Sequence, residues 1–185
     1  ANPIPVPKLL MSAPAAKIMV SVGEKFACIK IAGRANFTSS IDFKTLLDEL
    51  FKRGYAWFVL DLGECVLMDS TFLGVLTGLG LKINCPQPDG VERKLELFNP
   101  NPRILELLEN LGVLHLFTIA DQEMKFPQKT EPCEIAPASP SRDEVKAACL
   151  EAHQTLMQAH PENVSRFKDL AQFLAEDLKK TSPGS

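Results

Sequence analysis

The chain has 185 residues, of which 45% are apolar and 23% charged, with a formal charge of −3. That is one domain with room for an appendage, long enough to bury a core without disulfides or metal. Gly and Pro together are about 13% of the residues, below the roughly 25–30% of collagen-like or low-complexity chains. The pI near 5.7 argues against nucleic acid as the main partner, because such domains usually lie above about 9. No apolar stretch approaches the roughly 18 residues of a membrane-spanning helix, and Lys8–Met11 is too short for a secretory core. Cys28, Cys65, Cys85, Cys133 and Cys149 are odd in number and show no C-x-x-C spacing, which predicts reduced thiols in a cytoplasmic protein. His115, His153 and His160 are scattered; they predict no metal or cofactor site and read as ordinary solvated or half-buried residues.

Proline divides the chain. Pro3, Pro5, Pro7 and Pro14 mark an extended tail over 1–16, and Pro127, Pro132, Pro137 and Pro140 mark a linker over 121–140. Between them, 17–120 reads as the core domain, and 141–181 as a helical appendage. Ile18–Val22 and Phe26–Ala32 predict a β-hairpin around Gly23-Glu24-Lys25, with Gly33-Arg34-Ala35-Asn36-Phe37 as the loop that follows. A helix is expected from Ser39, where Ser39-x-x-Asp42 has the form of a capping box. Its apolar face is Phe43, Leu46, Leu47, Leu50 and Phe51, and Gly54 ends it.

Ala56–Leu60, which includes Trp57 as a core residue, predicts a strand buried on both faces. Leu62–Met68 reads as a loop, and a second helix is expected from Asp69-Ser70-Thr71. Gly74 and Gly78 each cost about 1 kcal/mol relative to Ala in a helix interior. They lie on one side and imply a close backbone approach, expected toward the sheet. Lys94–Phe98 is the next strand. Asn101 caps a third helix with Pro102 at its first position, Gly112 stops it, and Leu116–Ile119 is a final short strand. The order β-β-α-β-α-β-α-β predicts an α/β fold: one mixed, mostly parallel sheet of four to five strands with helices on one face.

The appendage predicts an αα-hairpin. Ser141-x-x-Glu144 is a capping box, Val145, Cys149, Ala152, Leu156 and Ala159 form one stripe, and Pro161 opens a second helix bearing Phe167, Leu170 and Leu174. Its apolar side must pack on something: the open face of the sheet, which is the expectation here, a second copy of the chain in a homodimer, or another partner.

The most informative stretch is Leu60–Leu76, LDLGECVLMDSTFLGVL. Asp61-Leu62 follows an apolar strand, and Met68-Asp69-Ser70-Thr71 opens a helix that continues Leu73-Gly74-Val75-Leu76. Together with Gly33-Arg34-Ala35-Asn36 and Asn101–Val113, these segments resemble the STAS family, the sulfate-transporter and anti-sigma-factor-antagonist domain. The resemblance covers about residues 17–120.

It implies a regulatory protein-binding module that is not an enzyme and takes part in transcription regulation. In antagonist members, a kinase-type anti-sigma factor phosphorylates the serine at the position of Ser70, and a Ser/Thr phosphatase removes the phosphate. Ser70 is therefore the expected acceptor, with Thr71 second, and Arg34, Asn36, Asp69, Ser70, Thr71 and Phe72 the expected partner-binding residues. Phe72 stands where many members carry a small residue, and Asn36 where Asp is common. The residues themselves also allow a plainer reading, in which Asp69-Ser70-Thr71 only caps a helix. A further alternative is a STAS-like scaffold or small-molecule or lipid-binding module that has no phosphocycle and acts through oligomerisation. No G-x-S-x-G elbow or P-loop supports a hydrolase or NTPase.

Overall fold

The computed structural model describes residues 16–123 and 130–181; most of the tail and Pro127 of the linker lie outside them. Strands β1 (Lys17–Val22) and β2 (Phe26–Ala35) pair antiparallel, with Lys25 at a positive φ of 55° in the turn. Helix α1 (Phe37–Lys52) follows, then β3 (Trp57–Asp61), β4 (Cys65–Met68) and α2 (Ser70–Ile83). Next come β5 (Lys94–Phe98), α3 (Pro102–Asn110), a single 3-10 turn at Leu114–Leu116 and β6 (Thr118–Ile119). Strand β7 (Cys133–Glu134) leads to the long helices α4 (Arg142–Ala159) and α5 (Glu162–Thr181).

The sheet is mixed and mostly parallel, in the order β6-β5-β3-β2-β1-β7, with β4 paired to β2 off that path. Its class is the expected one, but among the described residues it has seven strands where four to five were expected. The stretch read as the loop Leu62–Met68 holds β4, which pairs in parallel with the end of β2 past an irregularity at Gly33/Arg34. The segment read as linker holds β7 on the free edge of β1. Such pairings join short stretches that lack period-2 alternation.

The main core lies between the sheet and the helices. Ile29, Ile31, Leu60 and Leu97 from the strands meet Phe43 and Leu47 of α1, Phe72 and Leu76 of α2, and Ile104 and Leu108 of α3. Trp57, expected in the core, is half-buried and makes an edge contact with Phe26 at 5.0 Å in a second, smaller cluster with Cys28 and Val59. Alternation along β2 and β3 sends these residues to the opposite side of the sheet.

Helix α1 starts earlier than its sequence suggested. Asn36 is the cap; its side chain accepts the Ser39 N–H, and Ser39 Oγ accepts the Asn36 N–H. The polar residue nearest the strand end caps the helix, and Ser39 supplies the reciprocal bond.

The helical hairpin does not cover the far face of the sheet. It extends the helical layer: α4 packs on α2 and more lightly on α1, and α5 packs on α4. The glycines of α2 explain this. A Cβ added at Gly74 would lie 2.7 Å from both the carbonyl carbon and the Cβ of Ala152. The close approach predicted for Gly74 is therefore to α4 rather than to the sheet. Ala152 and Leu156 are buried there. Buried Asn163 donates to the carbonyls of Leu111 and Leu156 at 2.9 Å each, tying the hairpin turn to the end of α3. Of the residues expected on the open sheet face, Phe167 and Leu174 are half-buried and Leu170 is exposed.

Candidate functional site at the start of helix α2

Strands β2 and β4 run parallel and end together, with Ala35 opposite Met68. Both chains then enter helices, which places the starts of α1 and α2 side by side. The Asp69 N–H donates to the Ala35 carbonyl at 2.9 Å. The Asp69 carboxylate serves both helices: one oxygen accepts the Phe72 N–H at 2.8 Å, and the other accepts the Phe37 N–H at 2.7 Å. Burial holds the Asp69 carboxyl above its ordinary value, and these backbone donors partly oppose that shift. Asp69 is thus a cap and a cross-tie.

Ser70 is the first residue of α2 and is half-buried. Its Oγ lies 2.8 Å from Nε2 of His153 on α4. The other ring nitrogen, Nδ1, lies 2.6 Å from the Cys149 carbonyl oxygen. A carbonyl only accepts, so the network assigns the hydrogen to Nδ1, which donates to it. In the neutral imidazole Nε2 is then an acceptor, and Ser70 donates its hydroxyl hydrogen to it. His153 is 2% exposed and meets the Phe167 ring edge-on at 5.0 Å. Beside it, Thr71 Oγ1 donates to Cys149 Sγ at 3.4 Å. Burial pushes the Cys149 thiol up from its ordinary value.

The site residues expected from sequence separate into groups. Asp69, Ser70 and Thr71 come together at the α2 start, but Thr71 is buried under α4, which removes it from any surface. Phe72 is also removed from the partner face: it is 0% exposed and stacks on Phe43 with ring centroids 4.9 Å apart. Position three of the helix points to the core, and a large ring fills the space between α1 and α2. Arg34 is exposed on β2 opposite Leu67, whereas Asn36 is committed to capping α1.

Phe37, read as a loop residue, is the first residue of α1 and is 45% exposed, and Val66 on β4 is 59% exposed. Arg34 is likewise exposed. His153, read as an ordinary surface or half-buried residue, is the buried partner of Ser70. Its place in the stripe Cys149, Ala152/His153 and Leu156, at helical spacing, was the available signal.

The hydroxyl–imidazole pair has the distance of a nucleophile and its base. A cavity of about 340 Å³ lies in a groove between α1, α2 and α4 lined by residues such as Ile41, Lys44, Val75, Gly78 and Thr155, and Ser70 is not among its walls. Among the described residues, no group of three or more His, Cys, Asp and Glu side chains is placed to hold a metal ion. No helix among them is long and apolar enough to cross a membrane.

The family model of the STAS domain matches residues 17–125, more than half of the chain. Among solved structures the chain is similar to the Bacillus cell fate determinant SpoIIAA in its phosphorylated form, with a TM-score of 0.46 and 16% identity over 59% of this chain and 94% of that one. It is also similar to the anti-sigma factor antagonist SpoIIAA in its unphosphorylated form, with a TM-score of 0.43 and 16% identity over 51% and 82% of the two chains. No curated protein matches the chain.

Proposed function

From the premise that the chain belongs to the STAS domain family, we propose that it is a regulatory protein-binding module of the anti-sigma-factor-antagonist kind, switched by phosphorylation of Ser70. The observation that carries this reading is the position of Ser70: a hydroxyl in the first turn of α2, at the joint end of β2 and β4, where the neighbouring helix α1 opens on the exposed Phe37. The module acts by docking and not by turnover. Its partners in this reading are a kinase-type anti-sigma factor and a Ser/Thr phosphatase, and its place of action is the cytoplasm.

The electrostatics support a switch. A phosphate adds about −1.5 to −2 charges and three acceptor oxygens. The α2 dipole favours that anion by roughly 0.3–1 kcal/mol, while the Asp69 carboxylate next door opposes it. The charge therefore falls mainly on whatever docks against the helix start, where a like-charge contact costs several kcal/mol.

The test is to incubate the chain with a kinase-type anti-sigma factor and ATP, and to map the modified residue by mass spectrometry. Modification at Ser70, absent in Ser70→Ala, together with weakened kinase binding by Ser70→Asp, is the expected result. A Ser70 that stays unmodified both in the native chain and in Gly74→Ala, which loosens the α4 contact over it, or normal binding by Ser70→Asp, overturns the reading.

The apolar groove between α1, α2 and α4 favours a second reading, a ligand-binding STAS module with no phosphocycle. Native mass spectrometry that finds a co-purified small molecule, lost when Val75→Trp fills the groove, supports it over the first.

A further inference from the structure

We propose that α4 is a built-in competitor for the face that carries Ser70, and that it must leave α2 before another macromolecule can reach the Ser70 hydroxyl. The inference rests on the reading of Ser70 as a docking and acceptor residue and adds the element that regulates it.

Three observations converge. First, the hairpin takes up the functional groups of the α2 start. Ser70 Oγ is 2.8 Å from His153 Nε2, and Thr71 Oγ1 is 3.4 Å from Cys149 Sγ. Ser70 is half-buried under this contact, and the imidazole that meets it is sealed between α4, α5 and α2.

Second, the contact is made for a helix. Gly74 lets the two backbones meet at Ala152, and Gly78 faces Thr155, whose Cγ2 would be 3.6 Å from an added Cβ. A helix presenting a small residue opposite Gly74 and a polar group opposite Ser70 fits this face, and α4 is that helix in the same chain.

Third, the Ser70 end of the contact is set apart from the apolar core. Phe72, Leu73 and Leu76 of the same helix pack in the main cluster with the strands and α1, and α4 joins that cluster through Leu156, beyond His153. Among the described residues between the sheet and α4, Thr130 and Val22 exchange hydrogen bonds, strand β7 pairs with β1 at two residues, the Ile135 N–H donates to the Ile18 carbonyl, and the Ala138 N–H donates to the Asp42 carboxylate at 3.0 Å. A tether of this kind keeps a released hairpin at high local concentration. The apparent affinity of any partner for the face is then reduced by the fraction of chains that are open.

The cysteines supply the experiment in the intact chain. Cys85 and Cys133 are exposed, Cys28 and Cys65 are buried, and Cys149 sits in the α4–α2 contact. Iodoacetamide labelling under native conditions, mapped by mass spectrometry, reads all of them together. The S70C variant adds a thiol at the acceptor position.

Cys149 and the S70C thiol are expected to react at least about tenfold slower than Cys85, as for groups reached only through local opening. Gly74→Ala drives a Cβ into Ala152 and should raise both rates toward that of Cys85 while Cys28 and Cys65 stay slow. Asn163→Ala, which removes the two bonds to Leu111 and Leu156, should raise the Cys149 rate in the same sense and serves if Gly74→Ala does not fold. An S70C thiol as fast as Cys85 in the otherwise native chain overturns the proposal. So does exposure of Cys28 together with Cys149 in the variants, which would mean that hairpin and core open as one.

The two readings fail separately. If the thiols behave as expected but the kinase leaves Ser70 unmodified in the opened Gly74→Ala chain, the gate stands and the phosphorylation reading falls. If Ser70 is modified at the same rate in the native chain and in Gly74→Ala, the gate falls and the phosphorylation reading stands.

Discussion

The two sides of α2 are built on different principles. The side toward the sheet and α1 is filled with large rings and branched chains: Phe72 on Phe43, with Leu73 and Leu76 against the strands. The side toward α4 is made of small and polar residues: Ser70, Thr71, Gly74 and Gly78 against Cys149, Ala152, His153 and Thr155. The first gains its stability from apolar area removed from water. The second adds close backbone approach and a few hydrogen bonds, each worth about 0.5–1.5 kcal/mol net, to the one large apolar contact of Leu156 with the core. The candidate acceptor lies on this second side, at its polar end.

The largest test of this contrast is Phe72→Ala. Loss of a fully buried ring should cost about 3–5 kcal/mol, seen as a lowered denaturant midpoint for the whole domain. A loss confined to the hairpin would erase the distinction between the two sides. Leu156→Ala, on a 0% exposed residue of α4, should cost about 2–5 kcal/mol in docking. Hydrogen exchange should show it first in α4 and α5, with β3 still protected.

Asp69→Ala removes the cap of α2 and the tie to the Phe37 N–H. About 1–2 kcal/mol is expected, with faster exchange of the Phe72 and Phe37 amides. Lys44→Ala breaks the exposed 2.8 Å pair with Glu151 that links α1 to α4, and its effect on stability should stay within about 1 kcal/mol.

Acid separates the two regions by sign. The Asp69 carboxyl is raised by burial above 3.8, so its contribution favours folding most below 3.8 and is lost as pH rises through the raised value. Asp177, bonded to Lys146 across the hairpin, is lowered from 3.8. Its contribution is present above 3.8 and is lost as pH falls through the lowered value. Asp69→Asn should flatten the first dependence and Asp177→Asn the second, as read from urea midpoints between pH 3 and 6.

Much of this was legible in the chain. The apolar runs of β3 and β5, the stripes of α1 and α3, and the Asn101-Pro102 start have local causes that operate wherever the chain goes, and Asn101 does accept the Ile104 N–H at 2.9 Å. Asp69 as a cap was equally local. What was not legible depended on a second segment. Strand β4 exists because β2 runs on past Gly33 to meet it, and Asn36 displaces Ser39 as the cap because the strand ends there. Phe72 was expected among the partner-binding residues, and only α1, which supplies Phe43, makes it a core residue.

By itself the sequence determined the α/β order, the helix starts and the hairpin with its unsatisfied apolar side, because periodicity and capping are encoded within a few residues. Tertiary structure alone decided where that hairpin lands and which group meets Ser70. The reason is steric: only when Gly74 and Ala152, 78 residues apart, are brought together can two backbones approach closely enough to set an imidazole against that hydroxyl.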